Sequence, residues 1–198
     1  MGLIRKQKKE FKEYQGVSLL ETIVVIGISV VLFFIITNIF ISFSRLFQIQ
    51  SAMTDVEMNN YLALNRLQKA IKESDQILTS KIINSTTYST SNNTLVLEAP
   101  SIDSGGNIIS GSYDFFSIHR DSLDQSKLIF STSVNSQSSR RPGDTLISAF
   151  VDKLIFSYND INLNKANLIT IYLANSRSAS GSKQRTASST AIGLRNQP

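Results

Sequence analysis

Residues 15–44 read QGVSLLETIVVIGISVVLFFIITNIFISFS. From Thr22 to Ser44 the chain runs 23 residues without a charge, rich in Ile, Val and Phe. At ~1.5 Å per residue, a helix of that length spans the ~30 Å of a hydrocarbon layer. Glu21, at the start of the run, is the only ionisable residue between Tyr14 and Arg45. A carboxylate within hydrocarbon costs at least ~2.5–3.5 kcal/mol on insertion scales, so Glu21 is a functional candidate by default.

Upstream, residues 1–16 carry five basic residues (Arg5, Lys6, Lys8, Lys9, Lys12) against Glu10 and Glu13. Downstream, only Arg45 lies close to the apolar run. The positive-inside rule then puts residues 1–16 in the cytoplasm and the C-terminal part outside. Three readings compete for this segment. A secretory signal has an apolar core of about 7–15 residues with a small-residue cleavage site after it, and neither feature is present. A plain single-pass anchor fits the length but leaves Glu21 unexplained. Cleavage between Gly16 and Val17, before the apolar run, makes Glu21 the fifth residue of the mature chain and keeps the span attached.

The basic leader, Gly16, Val17-Ser18-Leu19-Leu20-Glu21 and the long apolar helix together resemble the class III signal of type IV pilins and type II secretion pseudopilins. Val17 stands where that family usually has Phe. The resemblance is specific over residues 8–40 and loose beyond them. It implies a leader of residues 1–16 cleaved by a prepilin peptidase after Gly16, and N-methylation of the new Val17 amine. It also implies an assembly role for Glu21, paired with the Val17 amine of a neighbouring subunit. An amine and a carboxylate attract strongly at low dielectric, and losing one partner is costly. A Glu21 that snorkels to the membrane interface is the bland alternative. Leu19, Leu20 and Gly27 are candidate helix-packing positions, small residues such as Gly27 and Ser29 allowing close approach; ordinary membrane-helix composition accounts for them equally well.

Beyond Arg45 the apolar residues become periodic: Leu46, Ile49, Met53, Val56, Leu64, Leu67, Ile71 and Leu78. Spacings of three and four mark an amphipathic helix, with Asn60 falling on the stripe. No Gly or Pro occurs between Gly27 and Pro100, so one helix is expected from about Val17 to about Leu78. Its membrane half covers residues 17–44 and its amphipathic half lies within 45–80. Residues 81–198 then form a β-rich head. Residues 84–93 read as a polar loop. Strands are expected at Thr94–Glu98, Ser112–His119, Lys127–Ser133, Leu146–Tyr158, Leu168–Ala174 and Ala187–Leu194, between Gly/Pro/Asn/Ser breakers. One long helix followed by antiparallel strands makes an α+β fold, with the head's sheet packed on the apolar stripe. The strand order, with VDKLIFSYND (151–160), LITIYLA (168–174) and IGLRN (192–196), resembles that of larger minor pilins and pseudopilin J.

Composition narrows the chemistry. The net charge of +5 comes mostly from the leader, at +3, so the remainder is not a strongly basic nucleic-acid binder. The chain has no Cys and one His, which removes disulfides, thiolate sites and most zinc sites. His119 stands beside Asp121 without a nucleophile, and no catalytic residues are expected. Asp160, Asn162 and Asn164 alternate like the start of a calcium loop, but Lys165 and Ile171 occupy positions where an EF-hand needs Gly and Glu. Residues 176–186 read as a mobile basic loop, with Arg140-Arg141 as a second basic pair but no aromatic residue interleaved to stack on bases.

The expectation is therefore a structural minor subunit of a type IV pilus or pseudopilus, not an enzyme, with no cofactor or metal. It would lie in the inner membrane with its head extracytoplasmic before joining a filament. Its partners would be other pilin or pseudopilin subunits, prepilin peptidase and an inner-membrane assembly platform, with nucleic acid not expected. The alternative is a single-pass anchored extracytoplasmic binding domain, neither processed nor polymerised.

Overall fold

The computed structural model describes residues 17–195. Helix α1 spans Leu19–Glu73. The chain divides into two compact units with the boundary after Leu46. In the first, every described residue is solvent-exposed, including nineteen large apolar side chains from Val17 to Phe43. This half of α1 holds one stretch long and apolar enough to cross a membrane, with mean hydropathy 2.8.

Within the second unit α1 is amphipathic. Ala52, Val56, Asn60, Ala63, Leu64, Leu67, Ala70 and Ile71 are buried, spaced one, three or four apart. Asn60 sits on the stripe as the spacing implies. It is held there because its Nδ2 donates to the Leu173 and Thr186 carbonyls at 3.3 and 3.2 Å. Met53, expected on the stripe, is exposed.

The helix ends at Glu73, several residues before the expected Leu78. Ser74 N and Oγ donate to the Ile71 and Ala70 carbonyls and cap the last turn. The backbone then turns into strand β1 (Gln76–Ile77), which pairs with β4 (Thr94–Ile102); Asp75 N donates to Glu98 O and Leu78 N to Val96 O. Ile77 thus reaches the core from a sheet edge, not from a further helical turn. The competing pairing lies about twenty residues away in sequence and is invisible to a local pattern.

Strands β2 (Ser80–Ile83), β3 (Thr86–Ser89), β5 (Ile108–Arg120), β6 (Leu128–Ser133), β7 (Gly143–Ser148), β8 (Val151–Tyr158), β9 (Leu168–Ala179) and β10 (Ser182–Gly193) complete the head. All pairings are antiparallel. One sheet has the order β1-β4-β5-β6-β7, a second β10-β9-β8, and β2-β3 is a separate hairpin. The core joins Leu64, Leu67 and Ile71 of α1 to Leu95, Leu97, Phe116 and Ile118 of one sheet and to Phe156, Ile169, Ile171 and Leu173 of the other. The fold is α+β, one long helix packed on antiparallel sheets.

Three further expectations are corrected. Residues 84–93 are not wholly loop: β3 closes a hairpin on β2 through Asn84-Ser85, both at positive φ (49° and 68°). The run 146–158 breaks at Ala149-Phe150, where the chain leaves one sheet and enters the other. Residues 176–186 are the ends of β9 and β10, joined by the tight Ser180-Gly181 turn. Their cations are neutralised rather than free: Arg177 pairs with Asp55, and Lys183 and Arg185 both pair with Asp152.

Candidate functional site

The first turn of α1 is built on Ser18. Thr22 N donates to Ser18 O at 3.1 Å, the first helical bond, and Glu21 N donates to Ser18 Oγ at 3.2 Å. Ser18 is thus the N-cap and Glu21 the third helical residue, the Ser-x-x-Glu spacing of a capping box. That signal stands in the sequence alongside Glu21's charge, as Ser18 three residues before Glu21. A carboxylate in the first turn also meets the positive end of the helix dipole, worth about 0.3–1 kcal/mol. Glu21 therefore has a favourable place within a single chain, besides any partner from another. Among the described residues no cation pairs with its carboxylate.

Val17, Leu19 and Leu20 surround Glu21 and are exposed. Gly27 faces open space: a Cβ there would meet no atom within 4 Å. A helical Gly costs about 1 kcal/mol against Ala, and no contact among the described residues accounts for it. Gly16, the expected cleavage residue, and the leader lie outside the described residues.

The polar side chains of the apolar stretch bond inward. Thr22, Ser29, Thr37 and Ser42 hydroxyls donate to the carbonyls four residues back, and so does Asn38 Nδ2. Such back-bonding leaves little polar surface for hydrocarbon to contact, and α1 continues helically through Asn38.

His119 and the 160–164 loop, the head's candidates for chemistry, both have local partners. His119 lies with its ring 4.4 Å from that of Tyr88, and its Nδ1 is 3.1 Å from Ser117 Oγ. Burial holds its pKa below the ordinary value despite the opposing fields of Asp144 and Asp121. In the 160–164 loop, Asp160 and Asn162 carboxyl and amide oxygens accept the N–H groups two residues on, so they are spent on Asx turns. Among the described residues no three His, Asp or Glu side chains converge in a metal-binding arrangement.

A cleft of about 450 Å³ lies between α1 and the five-stranded sheet, lined by Arg66, Lys69, Glu73, Phe130, Arg141 and Thr145 among others. It brings Arg140 and Arg141 beside Phe116 and Phe130, aromatic residues that no local sequence window places near them.

No known family, curated protein or solved structure matches this chain.

Proposed function

We propose that this chain is a minor structural subunit of a type IV pilus or type II secretion pseudopilus, assembled through its N-terminal helix. The observation that carries the proposal is the apolar half of α1. Its nineteen exposed large apolar side chains are capped at one end by Ser18 and Glu21. Covering each is worth about 1.5–3 kcal/mol, so the segment demands a non-aqueous environment on the order of 30 kcal/mol or more. Lipid meets that demand before assembly, and the helices of neighbouring subunits meet it afterwards.

In this mechanism the basic leader holds the N-terminus in the cytoplasm and the peptidase cuts after Gly16. The freed Val17 amine supplies a cation that the precursor lacks. Leu19, Leu20 and Gly27 lie along the helix that neighbouring subunits would pack against. Glu21 then selects register by pairing with a neighbour's amine, because an unpaired carboxylate among apolar helices is costly.

Intact-protein mass spectrometry of chain recovered from membranes tests the proposal. A mature chain that begins at Val17 is required, and one retaining residues 1–16 returns the anchored binding domain. Replacing Gly16 with a larger residue should leave an uncleaved, membrane-inserted precursor.

A further inference from the structure

The cleft beside α1 exists for a geometric reason. Five strands at ~4.8 Å spacing make a surface roughly 20 Å or more across, whereas a helix with its side chains covers only about 10 Å. The sheet's β6 and β7 side is left open on the helix-facing side, where Phe130 and Thr145 are register partners. The Phe116 and Phe130 rings meet at 5.2 Å. Arg66 stands over Phe130 with its guanidinium carbon 5.9 Å from the ring centre.

The charge of this cleft is one-sided. Arg140 is committed to the Asp114 carboxylate at 2.7 Å and touches Glu73 at 3.4 Å, and Lys69 reaches Glu73 at 3.9 Å. Arg66 and Arg141 form no ion pair among the described residues, yet both line the same cleft. Two exposed guanidinium groups beside an aromatic floor suit a carboxylate with apolar neighbours. Alongside them runs β7, whose only strand partner among the described residues is β6. Its outer edge is open for main-chain pairing.

We propose that the β7 edge and the Arg66/Arg141 cleft form one docking site for an extended acidic peptide segment of a partner protein. The segment would add as a strand beside β7. Alternate acidic side chains would reach Arg66 and Arg141, and the backbone would bond to the open edge. A nucleic acid fits less well. The Glu73 carboxylate lies in the cleft wall, and Arg177, Lys183 and Arg185, elsewhere on the head, are paired with Asp55 and Asp152. The open strand edge is chemistry that a polypeptide uses and a phosphate backbone does not. The site involves only residues after Leu46 and stands whether or not the chain polymerises.

The test uses the full chain in detergent micelles. A fluorescein-labelled peptide, acetyl-Val-Asp-Val-Glu-Val-Asp-amide, is titrated by anisotropy beside its Asn/Gln counterpart and a fluorescein-labelled oligothymidylate. The expected result is binding of the acidic peptide, weakened by salt and by about ten-fold or more in the Arg66→Gln/Arg141→Gln double variant. Hydrogen exchange should show new protection of backbone amides in 143–148. Both arginines are exposed, so the double variant retains the fold, checked by circular dichroism. Failure of the acidic peptide to bind overturns the proposal. So does equal binding of its Asn/Gln counterpart, protection outside 143–148 only, or oligothymidylate binding through the same arginines in preference to the peptide.

Discussion

Arg140 Nη1 donates to Asp114 Oδ2 at 2.7 Å, and the Asp114 carboxylate is fully buried. The same carboxylate accepts Ser101 Oγ at 2.8 Å, Asn135 N at 2.9 Å and Ser138 Oγ at 2.7 Å. Arg140 also donates to Pro100 O. Through Glu73, this pair ties the end of α1 to β4, β5 and the segment before β7. A buried pair with its remaining lone pairs filled is tolerated, but half of one is not. Asp114→Asn or Arg140→Met should each destabilise the head by about 3–5 kcal/mol, because each takes from a buried charge its closest partner. The double variant should cost clearly less than the sum of the two. Denaturant titration of the four proteins in micelles measures the coupling, and simple additivity would refute it.

The same carboxylate sets one of two pH windows. Burial pushes the Asp114 pKa up. The hydrogen bonds from Ser138, Asn135, Arg140 and Ser101 outweigh burial and hold it below its ordinary value. The unfolded chain therefore takes up this proton first as pH falls. The stabilisation is complete above about pH 4, the ordinary Asp value, and is lost as pH falls through the folded value. His119 acts higher. Burial depresses its pKa, so the unfolded state binds its proton first below about pH 6.5, and stability declines from there toward the folded value. Stability against pH should show both declines. His119→Gln should remove the upper one and leave the lower one. A curve unchanged between about pH 5 and 7 in that variant would show that His119 is as solvated folded as unfolded.

A smaller gain is expected at the β2–β3 turn. Asn84 and Ser85 both hold positive φ, the pattern of a type I′ turn, in which Asn-Gly is the favoured pair. Ser85 pays a Cβ clash that Gly does not. Ser85→Gly should stabilise the head by about 0.5–1 kcal/mol. A lowered thermal midpoint would mean that Ser85 makes a contact worth more than its backbone strain.

The fold was legible where one segment's pattern decides its own fate. Helix α1 follows from an absence of breakers between Gly27 and Pro100 and from the stripe through Val56, Leu64, Leu67 and Ile71. The central strands follow from short apolar runs at 94–98 and 168–174 bounded by turn signals. Local pattern failed where a distant partner wins. Asp75–Leu78 carries an apolar pair that a helix would also bury, and only β4 draws it into a strand. Residues 176–186 are polar on both faces and carry no inward–outward alternation; their strand character comes from the tight turn and from Asp55 and Asp152. The basic cleft was hidden because Arg66, Phe116, Phe130 and Arg141 come from four separate segments. At the N-terminus the signal is local: Ser18, three residues before Glu21, is the N-cap and accepts the Glu21 N–H.

Glu21's place in the first turn and its proposed pairing are separable by substitution. If Glu21 served only the cap, Gln would replace it, since Gln also completes a capping box. If its charge pairs with a neighbour's Val17 amine, Gln fails as Ala does. The expected outcome is that Glu21→Gln and Glu21→Ala both insert in the membrane, are both processed, and both fail to enter filaments. Ser18→Ala supplies the control from the other side: it removes the bond from Glu21 N and costs the first turn about 1 kcal/mol, yet keeps the carboxylate. It should assemble close to normally. Quantifying each variant in sheared filament and membrane fractions decides the matter, and incorporation of Glu21→Gln at the unsubstituted level would leave Glu21 as a helix cap alone.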